Sequence, residues 1–168
     1  MSQLTVAIIC GGPSSEHEVS CVSGGGVLKG IDTKLFRPLL IGITKAGKWV
    51  ALENDYPLAI VNKKMPTIED NGTSVELTQG GLVIDGKFVQ VDCVFPVLHG
   101  EFGEDGKIQQ LLENVGLAYV GSGVVQHYRA PQLLTVVEQF LVEECDVAGR
   151  HDSTSAGDSQ FAHIGIDH

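Results

Sequence analysis

The sequence predicts an α/β fold built on a mostly parallel sheet. Two apolar runs rich in β-branched residues, residues 4–10 and 91–98, each end in a glycine-bearing loop, as strands buried on both faces do. Helical patterns follow both, and strands that alternate with helices form βαβ units with right-handed crossovers.

The elements follow in order. Residues 4–10 are a strand closed by Gly11-Gly12. Residues 19–28 are a helix by context rather than propensity, because Gly24, Gly25 and Gly26 each cost about 1 kcal/mol against alanine. That glycine run points to close approach between the helix and a neighbouring backbone. Residues 36–44 are the second strand, 45–48 a turn, and 49–52 its hairpin partner. Residues 53–72 are mixed and proline-punctuated, with at most a short helix. Residues 75–90 hold strand-like pieces around Gly80-Gly81 and Asp85-Gly86, the second a good hairpin turn. Residues 105–115 are the strongest helix, with Ile108, Leu111, Leu112 and Val115 at helical spacing and Gly116 as its stop. Residues 118–120 make a short strand ending in Gly121-Ser122-Gly123.

After Gly123 the character changes. Residues 133–145 predict an amphipathic helix with Leu133, Val136, Val137, Phe140 and Leu141 on one face. From Gly149 onward a polar, histidine-scattered stretch reads as disordered or linker. The expected organisation is one domain over 1–123 and a divergent tail over 124–168.

Composition narrows the function classes. A chain of 168 residues that is 43% apolar and 19% charged is long enough for one domain with a core. Its net charge of −10, without any basic block, argues against nucleic acid and anionic membranes as partners. No apolar run approaches the roughly 18 residues of a membrane span, and no secretory signal is seen. Cys10, Cys21, Cys93 and Cys145 are scattered without a Cys-x-x-Cys pair, which points to a reducing cytoplasm.

Ligands of open parallel sheets bind at the carboxyl ends of the strands. Three such ends are chemically marked: residues 11–18, 99–106 and 121–123. The first is not Gly-x-Gly-x-x-Gly and has no following lysine, so a phosphate or dinucleotide reading is poor. Glu16 instead sets a negative charge at a helix N-terminus, where the dipole favours it, and an anion there suits a cationic group such as the ammonium of an amino acid. The competing reading is a capping box, with Ser14 or Ser15 as cap and Glu16 or Glu18 bonding back; local pattern alone favours it. In the second loop His99 can orient a carboxylate or accept a proton, with Glu101, Glu104 and Asp105 holding its tautomer or capping the next helix. A lone histidine at a strand end is more often structural. The acidic spacing matches no calcium loop and lacks a second histidine, so no metal is expected.

Three motifs together carry a resemblance. Gly-Gly-Pro-Ser-Ser-Glu-His-Glu-Val-Ser (residues 11–20), Leu-His-Gly-Glu-Phe-Gly-Glu-Asp-Gly-Lys-Ile-Gln (residues 98–109) and Tyr-Val-Gly-Ser-Gly-Val (residues 119–124) resemble the N-terminal domain of D-alanine–D-alanine ligase, in that family's order. The likeness runs from Val6 to about Val125. It implies a Rossmann-like three-layer domain of the pre-ATP-grasp type. It also implies an ATP-grasp ligase of peptidoglycan synthesis, joining two D-alanines through a D-alanyl phosphate made with ATP and Mg²⁺. By that resemblance Glu16 is the catalytic and substrate-binding group that holds the ammonium of the first D-alanine. His99 stands near that substrate's carboxylate, Glu104 supports His99, and Ser20 belongs to the same set. Gly11, Gly12, Gly100, Gly103, Gly106, Gly121 and Gly123 are the loop glycines. The family further implies a homodimer through this domain.

The family pattern stops after Gly123. Its small-residue helix with an Asp-Lys pair does not follow, no lysine occurs after Lys107, and the groups that grip ATP and Mg²⁺ are absent. The expectation is a chain without ligase activity by itself, truncated or frameshifted after about Val125. A codon choice for residues 126–130 read one base later gives Ser-Ile-Thr-Ala, the kind of sequence the family places there. The alternative is a non-catalytic module that binds a small amino acid or pairs with a separate ATP-grasp chain.

Overall fold

The computed structural model describes residues 3–121. Gly123, the expected break near Val125, the tail over 124–168 and its helix at 133–145 lie outside the described residues. In chain order the elements are β1 (Leu4–Gly11), α1 (His17–Gly30), β2 (Phe36–Ile43) and β3 (Trp49–Leu52). These are followed by β4 (Val75–Thr78), β5 (Gly81–Ile84), β6 (Lys87–Gln90), β7 (Cys93–Pro96) and α2 (Lys107–Asn114).

β1 is central in a four-stranded sheet of order β3-β2-β1-β7. It runs parallel to β2, from Leu4↔Phe36 to Gly11↔Ile43, and parallel to β7, from Val6↔Cys93 to Ile9↔Pro96. β3 returns antiparallel to β2. Strands β4, β5 and β6 form a separate antiparallel sheet. The expected mostly parallel sheet thus describes the first sheet only, and the domain is mixed. The reason is loop length. Asp85 (φ 47) and Gly86 (φ 76) make the predicted two-residue turn, and such a turn joins only antiparallel neighbours.

All of β1 beyond Leu4 is buried, so both of its faces pack. Ala7 and Ile9 join Ile41, Ile43 and Val94 in a core closed by Ile108 and Leu112 of α2 and by Val75 and Leu82 of the second sheet. Each such aliphatic side chain contributes about 1.5–3 kcal/mol on burial. Cys10 points to α1, where a Cβ on Gly24 would stand 2.6 Å from its Cβ. A Cβ on Gly25 would stand 2.8 Å from that of Leu58, whereas Gly26 has nothing within 4 Å. The close approach read from the glycine run is therefore real at Gly24 and Gly25 only.

Other differences have local causes. α1 begins earlier than expected, at His17. α2 starts at Lys107 because Gly106 (φ 85) cannot be helical. Leu111 is 39% exposed, since Ile108 and Leu112 take the buried face. The strand over 91–98 pairs only along Cys93–Pro96, and that over 118–120 reduces to a parallel bridge, Val94↔Tyr119. Residues 53–72 hold no helix, yet Leu58 and Ile68 within them are buried.

Candidate functional site

Parallel pairing places the carboxyl ends of β1 and β7 side by side at Ile9↔Pro96. The chain leaves β1 through Gly11 (φ 91) and Gly12 (φ 102), conformations that glycine adopts at little cost. Ser20 is fully buried and joins the two ends. Its hydroxyl accepts the Gly11 N–H at 2.8 Å and donates to the Val97 carbonyl at 2.5 Å. His17 is buried as well. Its Nδ1 donates to the Gly12 carbonyl at 2.8 Å and its Nε2 accepts the Ile68 N–H at 3.0 Å, which fixes its tautomer. Nothing in the local pattern marks His17 for this, because its partner lies 51 residues away.

Glu16 is the N-cap residue of α1 and makes no side-chain cap bond. The capping box therefore does not form. Ser14 instead accepts the Glu16 N–H at 3.2 Å and donates to the His99 carbonyl at 2.8 Å, stitching the first loop to the second. The Glu16 carboxylate is exposed and lies against Gly100 (φ 71), where a Cβ would stand 2.6 Å from Oε2. Glu18 is used differently. It pairs with Lys45 at 2.5 Å, and that bond holds its carboxyl below the usual range. The two acids that flank His17 have separate tasks.

His99 is partly exposed, with Nε2 3.1 Å from the Ser23 hydroxyl of α1 and Nδ1 3.8 Å from Glu104 Oε1. The N–H groups of Gly103 and Glu104 both donate to the Gly100 carbonyl, folding the loop back so that Glu104 faces the ring. Gly103 packs against Leu98, with no room for a Cβ. Asp105 and Glu101 turn away and pair with Lys107 at 2.8 and 3.5 Å. The Lys107 ammonium holds the Asp105 carboxyl below its ordinary range, and Asp105 raises Lys107 in turn. Glu104 is thus the acid beside His99. Sequence reasoning missed Ser23; its spacing of three from Ser20, on one helical face, was the available signal. Gly121 (φ 132) follows the Val94↔Tyr119 bridge on the same sheet edge.

Among the described residues no cluster of three or more His, Cys, Asp or Glu side chains is arranged to hold a metal. Lys45, Lys48 and Lys107 are each held by a carboxylate. No described helix is long and apolar enough to cross a membrane.

A family model described as D-ala D-ala ligase N-terminus matches residues 5–122. A D-alanine--D-alanine ligase of Rhodococcus erythropolis is 48% identical over 136 residues, covering 74% of this chain and 37% of its own length. One of Mycobacterium bovis is 42% identical over 135 residues, covering 73% of this chain and 36% of its own length. The chain thus spans about a third of the length of the curated relatives it matches. Among solved structures, the VanG D-Ala:D-Ser ligase of Enterococcus faecalis superposes with a TM-score of 0.62 at 29% identity, covering 88% of this chain and 43% of that one. D-alanyl-alanine synthetase A of Vibrio cholerae gives 0.58 at 26% identity, covering 87% and 38%.

Proposed function

Because the chain belongs to the family of D-alanine–D-alanine ligase N-terminal domains, we propose that the edge carrying Glu16 and His99 is the half-site for the first D-alanine of peptidoglycan precursor synthesis. The Glu16 carboxylate accepts hydrogen bonds from the substrate ammonium. The His99 ring stands toward the substrate carboxylate, Glu104 steadies that ring, and Ser20 holds the two loops in place. Charge-assisted bonds of this kind are about twice as strong as neutral ones.

The observation that carries this reading is the Ser14 hydroxyl bonded to the His99 carbonyl at 2.8 Å, which ties the loop of Glu16 to the loop of His99. A pre-formed site keeps more of its interaction energy as affinity. The layering suits a Rossmann-like, pre-ATP-grasp domain: α1 packs by Gly24 on Cys10, and α2 packs by Ile108 and Leu112 on the core of Ala7 and Ile9. In the same reading the protein is cytoplasmic and pairs with a second copy through this domain. In this reading ATP and Mg²⁺ are held by the part of the relatives' length that this chain does not match, and the chain by itself is expected to show no ligase activity.

Calorimetric titration with D-alanine tests this. Glu16→Gln is expected to weaken binding about tenfold or more, and Glu18→Gln to leave it unchanged. No binding by the native chain, or equal binding by Glu16→Gln, overturns the proposal.

A further inference from the structure

His99 has three polar neighbours, two of them at the imidazole. Ser14 takes its backbone carbonyl at 2.8 Å, the Ser23 hydroxyl lies 3.1 Å from Nε2, and Glu104 Oε1 lies 3.8 Å from Nδ1. Of the other charged groups nearby, Glu101 and Asp105 hold Lys107, and Glu16 lies against Gly100.

These contacts have unequal chemistry. An ionised carboxylate only accepts hydrogen bonds, whereas a hydroxyl donates or accepts. Glu104 Oε1 lies on the Nδ1 side of the ring at 3.8 Å, beyond hydrogen-bond distance, whereas the Ser23 hydroxyl is within bonding distance of Nε2 and can meet it in either tautomer. The Ser23 backbone belongs to a 14-residue helix, and Gly24 and Gly25 beside it are packed without free space against Cys10 and Leu58. The hydroxyl is therefore presented from a rigid element to a ring carried on a loop.

We propose that Ser23 is a positioning residue for His99: its hydroxyl, 3.1 Å from Nε2, sets the plane of the imidazole by a hydrogen bond to that nitrogen. The inference rests on the proposed role of His99 toward a substrate carboxylate and adds a residue on α1 to that site. A ring held from a helix costs less ordering on binding than a ring free to turn on its loop. The Ser23 hydroxyl thus influences ligand affinity by fixing the ring.

The test is the pair Ser23→Ala and Ser23→Thr in the full chain. Both are expected to fold, since alanine is the best helix former and threonine keeps the hydroxyl. Ring ¹⁵N chemical shifts of His99, assigned with His99→Gln, are read without ligand, and D-alanine affinity is read separately. The native chain and Ser23→Thr are expected to show the same Nε2 shift. Ser23→Ala is expected to move the Nε2 shift as its hydrogen bond is lost and to weaken D-alanine roughly threefold to tenfold. Unchanged ring shifts in Ser23→Ala overturn the proposal, whatever happens to affinity. Ring shifts that respond to Ser23→Ala in a chain that binds no D-alanine support the positioning role and overturn the substrate reading instead.

Discussion

The carboxylate of Glu16 rests against the α-carbon of Gly100, so closely that a Cβ there would stand 2.6 Å from Oε2. One residue stands at the N-cap position of α1 without a side-chain cap bond, and the other lies 84 positions later in a loop after β7. Their contact brings two sheet-end loops together. Gly100 also has φ 71, where a side chain is strained in any space.

Gly100→Ala is therefore expected to act twice. Urea unfolding should show a loss of about 1–3 kcal/mol from the left-handed backbone alone. Titration should show D-alanine affinity falling as well, because the new methyl displaces the Glu16 carboxylate.

The glycine run of α1 offers a contrast within one helix. Gly24→Ala drives a methyl to 2.6 Å from Cys10 Cβ and 2.9 Å from its sulfur, and overpacking of this kind costs about 1–3 kcal/mol. Gly26→Ala meets nothing within 4 Å and should stabilise the protein by about 0.5–1 kcal/mol through helix propensity and a less flexible unfolded chain. Opposite shifts of the thermal midpoint would verify both.

Replacing His17 removes a buried bridge. His17→Leu leaves the Gly12 carbonyl and the Ile68 N–H without their partner inside the protein. Unsatisfied buried groups cost about 1–3 kcal/mol each. Denaturant unfolding should therefore show a loss of about 3 kcal/mol, and hydrogen exchange at Ile68 should accelerate.

The buried thiols set an alkaline limit. Burial pushes Cys10 up strongly, Cys21 to about 12 and Cys93 to about 11, from an ordinary 9.0. Above about pH 9 the unfolded chain loses thiol protons that the folded chain keeps, so the folded state binds more protons and stability falls as pH rises. The decline should run from pH 9 toward the folded values of about 11 and 12. At pH 8 these three cysteines should resist iodoacetamide in the native protein and react once it is unfolded in urea.

Much of this was legible from local chemistry. The buried strand before Gly11, the hairpin at Asp85-Gly86 and the helix carrying Ile108 and Leu112 follow from hydrophobic period and turn residues, which act over a few positions. The marked loops at residues 11–18 and 99–106 were legible for the same reason. Periodicity gave Leu111 to the core with its neighbours, but a two-turn helix buries a narrow stripe, and Ile108 and Leu112 fill it.

The sequence by itself determined the elements, the family and the acidic character of the first loop, because each is written in contiguous residues. Tertiary structure decided which acid is free and which is spent. Glu16 and Glu18 are equivalent in the string, yet Glu18 meets Lys45 from the β2–β3 turn while Glu16 meets Gly100. It also decided that His17 is a buried bridge and that Ser23 stands at the His99 ring. Those outcomes depend on partners as far as 84 residues away, and the parallel register of β1 with β2 and β7 sets the segments that carry Lys45, His99 and Gly100 beside the loop and helix that follow β1.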